Sequence, residues 1–357
     1  MPVRSKAAWG TWIPANQPGL RWEGRLRFDA DRAATFDFAS VRLHAGFEGT
    51  GLAIYARLGQ NYLDVIVDGE RVAVLGRAPK VDDAPMSAVW VKPAASGGVP
   101  VFRVQGLKPG KHSLIIAKRT SPNFGPVTFL GFRLDEGAKL LAAEAAPARR
   151  LEFIGDSLTN GYGDEGPGLA CKELPPYENS SLSFARVCAE ALQADAQLLA
   201  YSGYGLLRNY GDKEPRSKDP MPTYYPRTVL SEAKGTWDRG RYKPDLAAIL
   251  LGTNDYSTEP HPSDEDFLAA YRDLLDAVRD GRPGLPILCL YRQDLPACSK
   301  LVKQLVKEEQ AKGHQVEALG LPILQQSDCG CDWHPKVHVH AAWAELVTKK
   351  IRNRLNW

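Results

Sequence analysis

The stretch Leu151–Gly161 reads LEFIGDSLTNG and joins an apolar run to a Gly-Asp-Ser tripeptide. The apolar run predicts a buried strand, and the glycine-containing turn predicts a serine at the carboxyl end of that strand, just before a helix. In that place the hydroxyl of Ser157 is exposed and the helix N-terminus adds a partial positive charge. The tripeptide alone is weak support for a catalytic serine, because Gly-Asp-Ser also occurs in many ordinary turns.

The composition indicates a globular protein with two domains. The chain has 357 residues, of which 44% are hydrophobic and 24% are charged, and single cores stop growing at about 250–300 residues. A formal net charge of +3 is too small to indicate a nucleic-acid partner. No apolar run approaches the roughly 20 residues that a membrane-spanning helix needs, so no membrane partner is expected.

The compartment is left open by the sequence. Residues 1–9 carry charge but no apolar core, so they do not resemble a secretory signal. The protein is therefore expected either in the cytoplasm or secreted with a leader that this sequence lacks. The oligomeric state is not indicated.

Six cysteines do not decide the redox environment. Cys188 and Cys289 lie in apolar segments, where buried thiols are usual. The pair Cys329 and Cys331, with three histidines nearby, leaves a metal site or a strained redox pair open. Zinc sites normally space cysteines by two to four residues and use a second pair, which is missing here, so no metal is expected.

The N-terminal half predicts an all-β domain. Its segments alternate apolar with polar or small residues and are broken by Asp68-Gly69 and Pro109-Gly110, which indicates an antiparallel sandwich or jelly roll. The predicted strands cover residues 35–38, 41–45, 52–56, 62–67, 71–75, 101–104, 112–116 and 128–134.

From about residue 150, apolar strands alternate with amphipathic helices. Five parallel strands with crossover helices predict a three-layer α/β/α domain of the flavodoxin-like type. The predicted strands are 151–154, 197–201, 246–251, 287–291 and 316–319, and the predicted helices are 180–192, 263–280, 296–312 and 335–355. The alanine-rich segment 136–149 suggests a sandwich domain over 1–145 and a catalytic domain over 146–357. Because no turn-rich linker separates them, the two domains are expected to pack together.

Four candidate elements follow strand ends of the second half. Ester hydrolysis needs a nucleophile, a base within hydrogen-bond reach and donors aimed at the developing oxyanion. Ser157 is the candidate nucleophile, and His334, just before the last helix, is the candidate base. Gly203 and the side chain of Asn254 follow the second and third strands as candidate oxyanion donors. Each element has an ordinary structural interpretation as a turn, cap or surface residue, but their combination favours a serine esterase.

Two levels of resemblance follow from these motifs. Gly155-Asp156-Ser157, Gly203, Gly252-Thr253-Asn254-Asp255 and His334 resemble the four blocks of the SGNH (GDSL) hydrolase superfamily. Further segments across nearly the whole chain resemble carbohydrate esterase family 2 of the acetyl xylan esterase type, which joins an N-terminal jelly roll to an SGNH domain: Phe47–Thr50, Val65–Glu70, Gly110–Leu114, Lys118–Thr120, Phe129–Phe132, Phe153–Gly163 and Cys331–Pro335.

The resemblance implies an esterase that removes O-acetyl groups from xylan or from gluco- and manno-configured sugars, with no cofactor. Ser157 would be the nucleophile and His334 the general base. The backbone N–H groups of Ser157 and Gly203 and the side chain of Asn254 would form the oxyanion hole, with Gly205 as a rival second donor. An acetylated saccharide would be the partner. Esterases of broader specificity, lipases, thioesterases and an inactive carbohydrate-binding protein are the alternatives.

One position departs from the superfamily pattern. The usual last block is Asp-x-x-His, but Cys331 stands three residues before His334, and the nearest acid, Asp332, stands two before. The imidazole would then be oriented by Asp332 in an unusual geometry, by a backbone carbonyl or by a distant acid. Some family members are understood to use a Ser-His dyad, which is the interpretation favoured here. Trp333 and Tyr204 adjoin the site elements and are candidates for stacking on a sugar ring.

Overall fold

Two sheets of opposite character organise the protein. The computed structural model describes residues 9–77, 90–91, 99–172 and 175–357, so segment 1–8, which bears on the leader interpretation, lies outside the described residues. Within that range the chain forms an eleven-stranded sheet followed by a five-stranded one. No helix in these ranges is both long and apolar enough to cross a membrane.

The first sheet is antiparallel apart from one short parallel pair, β7 with β8, which confirms the predicted all-β N-terminal domain. Its order is β3-β4-β10-β5-β9-β6-β7-β8, with β1 pairing β10 and with β2 and β11 pairing β5. The strands are β1 Trp9–Pro14, β2 Arg21–Glu23, β3 Arg27–Phe28, β4 Ala34–Phe36, β5 Arg42–Arg57, β6 Leu63–Val67, β7 Glu70–Leu75, β8 Trp90–Val91, β9 Val101–Lys118, β10 Val127–Asp135 and β11 Lys139–Leu141.

Two long strands, β5 and β9, replace the two pairs of short strands that the sequence predicted. They pair from Arg42 opposite Ala117 to Tyr55 opposite Val101, and a bulge shifts the register between Gly49 and Gly51. Pro109-Gly110 was predicted to break the strands and instead lies inside β9, next to the bulge, where no regular ladder bond is required of proline. Asp68-Gly69 does form a turn between β6 and β7, with positive φ at both residues.

The second sheet is parallel, in the order β13-β12-β14-β15-β16. This order places the second strand of the domain beside the first and the other three on the opposite side, which confirms the predicted flavodoxin-like arrangement. The strands are β12 Arg149–Gly155, β13 Ala194–Ala200, β14 Leu246–Leu250, β15 Ile287–Arg292 and β16 Val316–Leu321. The helices are α1 Ser157–Asn160, α2 Phe184–Ala191, α3 Met221–Tyr224, α4 Thr253–Tyr256, α5 Asp264–Arg279, α6 Pro296–Ala311 and α7 Val337–Leu355.

Helices cover both faces of this sheet. Helices α5 and α6 pack on one face, while α2 and α7 bury Phe184 and Trp343 on the other. Both faces of the sheet are therefore largely apolar, as is usual for a parallel sheet. The carboxyl ends of β12, β13 and β14 consequently meet at one edge, where ligand sites of such folds lie.

Buried ion pairs hold the two sheets together. Arg186 of α2 contacts the carboxylate of Glu23 on β2, and Arg119 after β9 contacts Glu165. Burial alone would raise the pKa of Glu23, but the Arg186 guanidinium holds that pKa below its usual range. Removing one partner of such a pair typically costs about 3–5 kcal/mol because the other charge stays buried. These pairs fix how the N-terminal domain sits on the C-terminal domain.

Candidate active site

Ser157 lies at the carboxyl end of β12, where the sequence placed it. The residue is 5% exposed, and its hydroxyl faces the edge where β12, β13 and β14 end. Asp156 caps the following helix, since its Oδ1 accepts a hydrogen bond from Leu158 N at 3.0 Å. That helix, α1, has only four residues, so its dipole adds less positive charge than the sequence suggested.

His334 reaches Ser157 directly. Its Nε2 lies 2.7 Å from the Oγ of Ser157, and its Nδ1 lies 2.8 Å from the main-chain oxygen of Asp332. A proton on Nδ1 satisfies both contacts, because Nδ1–H donates to the carbonyl and Nε2 accepts from the hydroxyl. Helix α7 begins at Val337, so Pro335 precedes it rather than occupying its first turn.

The carboxylate of Asp332 does not orient the imidazole. Asp332 is exposed and adopts a left-handed conformation with φ of 49°, and its Oδ2 accepts a hydrogen bond from the Tyr162 hydroxyl at 2.8 Å. Of the three orienting groups that the sequence left open, the structure places a backbone carbonyl at Nδ1. The ring of Tyr162 also packs on His334, with centroids 4.1 Å apart.

The surroundings of His334 keep its imidazole neutral. Burial lowers the pKa of His334 to about 4, and the Arg292 guanidinium acts in the same direction, whereas the hydrogen bond to Asp332 raises it. A neutral imidazole can accept a proton from a hydroxyl at neutral pH, which is what a general base requires.

The low pKa of His334 predicts how the pH–rate profile behaves on its acid side. We expect kcat/KM for ester hydrolysis to fall only as the pH drops towards about 4, because protonation of His334 removes the base. Between pH 6.5 and 4 the unfolded chain binds the proton first, so stability should also decline as the pH falls. NMR titration of the His334 ring, assigned with His334→Ala, measures this pKa, and an inflection at 6.5 or above contradicts the expectation.

Two backbone amides without an acceptor lie just after the carboxyl ends of β12 and β13, within the described residues. Gly203 follows β13 with φ of 85°, a conformation that glycine adopts without strain. Among the described residues, the N–H groups of Ser157 and Gly203 meet no acceptor. The rival amide of Gly205 donates to the Oδ1 of Asn209 at 3.1 Å, so its hydrogen is already engaged.

Asn254 brings a side-chain amide to the same edge from α4. Its Nδ2 lies 3.0 Å from the carbonyl oxygen of Tyr204 and 3.2 Å from the Oδ2 of Asp156. Burial raises the pKa of Asp156 to about 7. Gly252, before α4, has φ of 114°, and a Cβ there would lie 2.4 Å from the Sγ of Cys298. These contacts fix the orientation of the Asn254 amide at the carboxyl edge of the sheet.

Asp255 was not identified as a site residue from the sequence. Its carboxylate is buried and accepts hydrogen bonds from the backbone N–H groups after β13, at 2.9, 2.7 and 2.8 Å, from Leu206, Leu207 and Arg208. The loop that begins at Gly203 is thereby tied to the helix that carries Asn254. The signal was the acid directly after Asn254 in Gly-Thr-Asn-Asp.

A disulfide anchors the segment 329–336 before α7, which is called the His334 loop. Cys331 bonds to Cys171, so the suggested redox pair of Cys329 with Cys331 is wrong, and Cys329 is a buried free thiol. The carbonyl oxygen of Cys331 accepts a hydrogen bond from His334 N at 3.0 Å, and its N–H donates to the Gly163 carbonyl at 3.3 Å. The described residues contain no cluster of His, Cys, Asp and Glu suited to a metal ion.

Removing this disulfide should lower activity. We expect Cys171→Ser to reduce kcat by up to about 10²-fold with little change in KM, because a misplacement near 1 Å costs about that much. The matched control is Cys329→Ser, which alters a buried thiol two residues from Cys331 and leaves the disulfide intact. Equal kcat values for Cys171→Ser and wild type, both folded, would show that the disulfide does not position His334.

The two candidate stacking residues differ in exposure. Trp333 is 61% exposed beside His334. Tyr204 is half-buried, and its ring packs parallel to Tyr201 with centroids 3.7 Å apart and edge-on to Tyr224. Trp333 is thus the freer of the two to receive a sugar ring.

Two family models match different parts of the chain, one in each half. Residues 153–319 match the GDSL-like lipase/acylhydrolase family, and residues 22–143 match the carbohydrate esterase 2 N-terminal domain. A solved family two carbohydrate esterase from Clostridium thermocellum, in complex with cellohexaose, is 31% identical with a TM-score of 0.84. The alignment covers 95% of this chain and 99% of that one.

Two curated relatives extend the comparison. The cellulase/esterase CelE of Acetivibrio thermocellus is 33% identical over 96% of this chain, which spans only 40% of the CelE length. An acetylxylan esterase / glucomannan deacetylase of Cellvibrio japonicus is 28% identical over 96% of this chain and 88% of its own length. The resemblance drawn from the sequence motifs is confirmed. The chain belongs to carbohydrate esterase family 2.

Proposed function

We propose that this carboxylic ester hydrolase removes O-acetyl groups from xylan or from gluco- and manno-configured saccharides. The 2.7 Å contact between the Oγ of Ser157 and the Nε2 of His334 supports this proposal most strongly. The names of the relatives, acetylxylan esterase and glucomannan deacetylase, favour an acetylated polysaccharide as substrate.

Acylation would begin at Ser157. Its Oγ attacks the carbonyl carbon of the acetyl group while its proton passes to the Nε2 of His334. The tetrahedral intermediate carries a negative oxygen, which the amides of Ser157 and Gly203 and the Asn254 side chain would stabilise. When the ester bond breaks, the imidazolium returns its proton to the sugar oxygen, and an acetyl group remains on Ser157.

Deacylation reverses the roles. His334 removes a proton from a water molecule, whose oxygen attacks the acetyl carbon and forms a second oxyanion in the same place. The proton then passes from His334 to the Oγ of Ser157, and acetate leaves. During both steps the carbonyl of Asp332 would hold the Nδ1 proton, which fixes the tautomer without a carboxylate.

A dyad predicts a small effect of removing the Asp332 carboxylate. We expect Asp332→Asn to lower kcat less than about tenfold, because the main-chain oxygen at Nδ1 remains in place. Loss of the carboxylate of a true triad costs about 10⁴-fold. A loss of that size in a folded Asp332→Asn variant, measured as acetate release, would contradict the dyad. Tyr162→Phe, which removes the other partner of that carboxylate, is the matched control.

Saccharide binding without turnover is the second candidate function. The complex of the Clostridium thermocellum relative with cellohexaose favours it, since that ligand carries no acetyl group. The intact pairing of Ser157 with His334 in this chain favours catalysis instead.

The decisive experiment measures acetate release from a panel of mono-acetylated xylosides, glucosides and mannosides. The proposal predicts turnover of at least one acetylated sugar at a higher kcat/KM than an aryl acetate. Cleavage of aryl acetates alone would leave a general esterase and contradict the carbohydrate assignment. Saccharide binding without any acetate release would favour the second candidate.

A further inference from the structure

One side chain of the N-terminal domain contacts the residue that precedes Gly203, a proposed oxyanion donor. Asn123 lies in a short 3₁₀ turn, Pro122–Phe124, between β9 and β10. Its Nδ2 donates to the carbonyl oxygen of Ser202 at 3.0 Å, and its Oδ1 accepts from the N–H of Ser202 at 3.2 Å. Both main-chain groups of Ser202 are therefore held by one side chain from the other domain.

The residue held in this way directly precedes Gly203. A third bond fixes it from the hydrolase side, because the Nδ2 of Asn160 donates to the Oγ of Ser202 at 3.1 Å. The carbonyl of Gly203 itself accepts a hydrogen bond from the N–H of Tyr210 at 2.8 Å. The Gly203 amide, which has no acceptor among the described residues, is thus flanked by fixed peptide groups.

The turn that carries Asn123 is itself rigidly built. Asn61 is 1% exposed, and its Nδ2 lies 3.0 Å from the carbonyl oxygen of Phe124 and 3.1 Å from that of Gly125. The buried ammonium of Lys118 donates to the carbonyl of Ser121 at 3.1 Å. A side chain on a turn that is already fixed loses less conformational entropy when it binds a partner.

We propose that Asn123 is a positioning residue for the oxyanion hole, so that the N-terminal domain completes the hydrolase site. Asn123 does not contact the substrate. Its side chain orients the Ser202–Gly203 peptide, whose N–H faces the charge that develops on the ester oxygen. The inference rests on the proposed esterase function and extends it to the second domain. Positioning of this kind acts in the transition state, where the oxyanion forms.

The test compares Asn123→Ala and Asn123→Asp with wild type. Alanine removes both bonds, and aspartate keeps the size while replacing the donor with an oxygen that repels the Ser202 carbonyl. We expect kcat to fall about tenfold in both variants with KM unchanged, less than the 10²–10³-fold cost of losing an oxyanion donor itself. The melting temperature should fall only modestly, because the main-chain groups of buried Ser202 lose a partner while the rest of the fold is untouched.

Arg27→Ala is the matched control, since it breaks the interdomain pair of Arg27 with Glu232 away from Gly203. Its kcat should equal that of wild type. An unchanged kcat in the Asn123 variants, a rise confined to KM, or an equal loss in Arg27→Ala would overturn the inference. Rates are read with an aryl acetate as well as with acetylated sugars, so that a wrong sugar assignment does not mask the result.

Discussion

Ser157→Ala should lower kcat for acetyl-ester hydrolysis by about 10⁶-fold, as loss of the nucleophile does in serine hydrolases of known mechanism. The variant keeps the oxyanion donors and the binding cleft, so a residual rate of about 10³–10⁴-fold above that in water can remain. Acetate release measures the loss, and the melting temperature confirms folding. Little destabilisation is expected, because Ser157 is small and only its Oγ contact with His334 is removed.

The control for this variant is Ser327→Ala, which alters an exposed serine near the His334 loop. It should retain the wild-type rate. A loss below about tenfold in Ser157→Ala would mean that another group attacks the ester, and the acyl-enzyme account of the reaction would then be wrong.

His334→Ala should cost nearly as much as Ser157→Ala, because the hydroxyl without its base is a weak nucleophile at neutral pH. Groups that act as one unit are strongly non-additive, so the double variant Ser157→Ala/His334→Ala should be no slower than either single variant. Steady-state acetate release from the three variants measures this directly.

The matched control is His338→Ala, which alters an exposed histidine in the first turn of α7 that contacts Asp328. Its kcat should match wild type. If the double variant were more than about tenfold slower than either single variant, Ser157 and His334 would contribute independently, and the dyad would be excluded.

The strand-end elements could be predicted because each rests on a local pattern. Gly155-Asp156-Ser157 follows a mostly apolar strand, and Gly252-Thr253-Asn254-Asp255 follows an apolar one, so both were expected at the carboxyl edge of a parallel sheet. That edge also receives His334, since the residue lies between the carboxyl end of β16 and the start of α7. The parallel, three-layer arrangement of the five strands followed from the alternation of strands and helices.

Other features depend on contacts between residues distant in sequence, which no local pattern encodes. Cys171 and Cys331 are separated by 160 positions, and Asn123 reaches Ser202 across the domain boundary. The orienting carbonyl of Asp332 depends on left-handed backbone at both Asp332 and Trp333, a conformation that is uncommon for residues other than glycine. Strands β5 and β9 exceed the predicted lengths because a bulge accommodates the Gly-rich segments that were expected to end them.

In the proposed mechanism, Ser157, activated by His334, is the nucleophile that carries the acyl group. Incubation with a serine-directed phosphonate, followed by peptide mass mapping and parallel acetate-release assays, tests it most directly. We predict one phosphonyl group per chain on Ser157, loss of activity in proportion to labelling, and much slower labelling in His334→Ala. Full labelling at another residue, or acetate release that survives modification of Ser157, would contradict the claim.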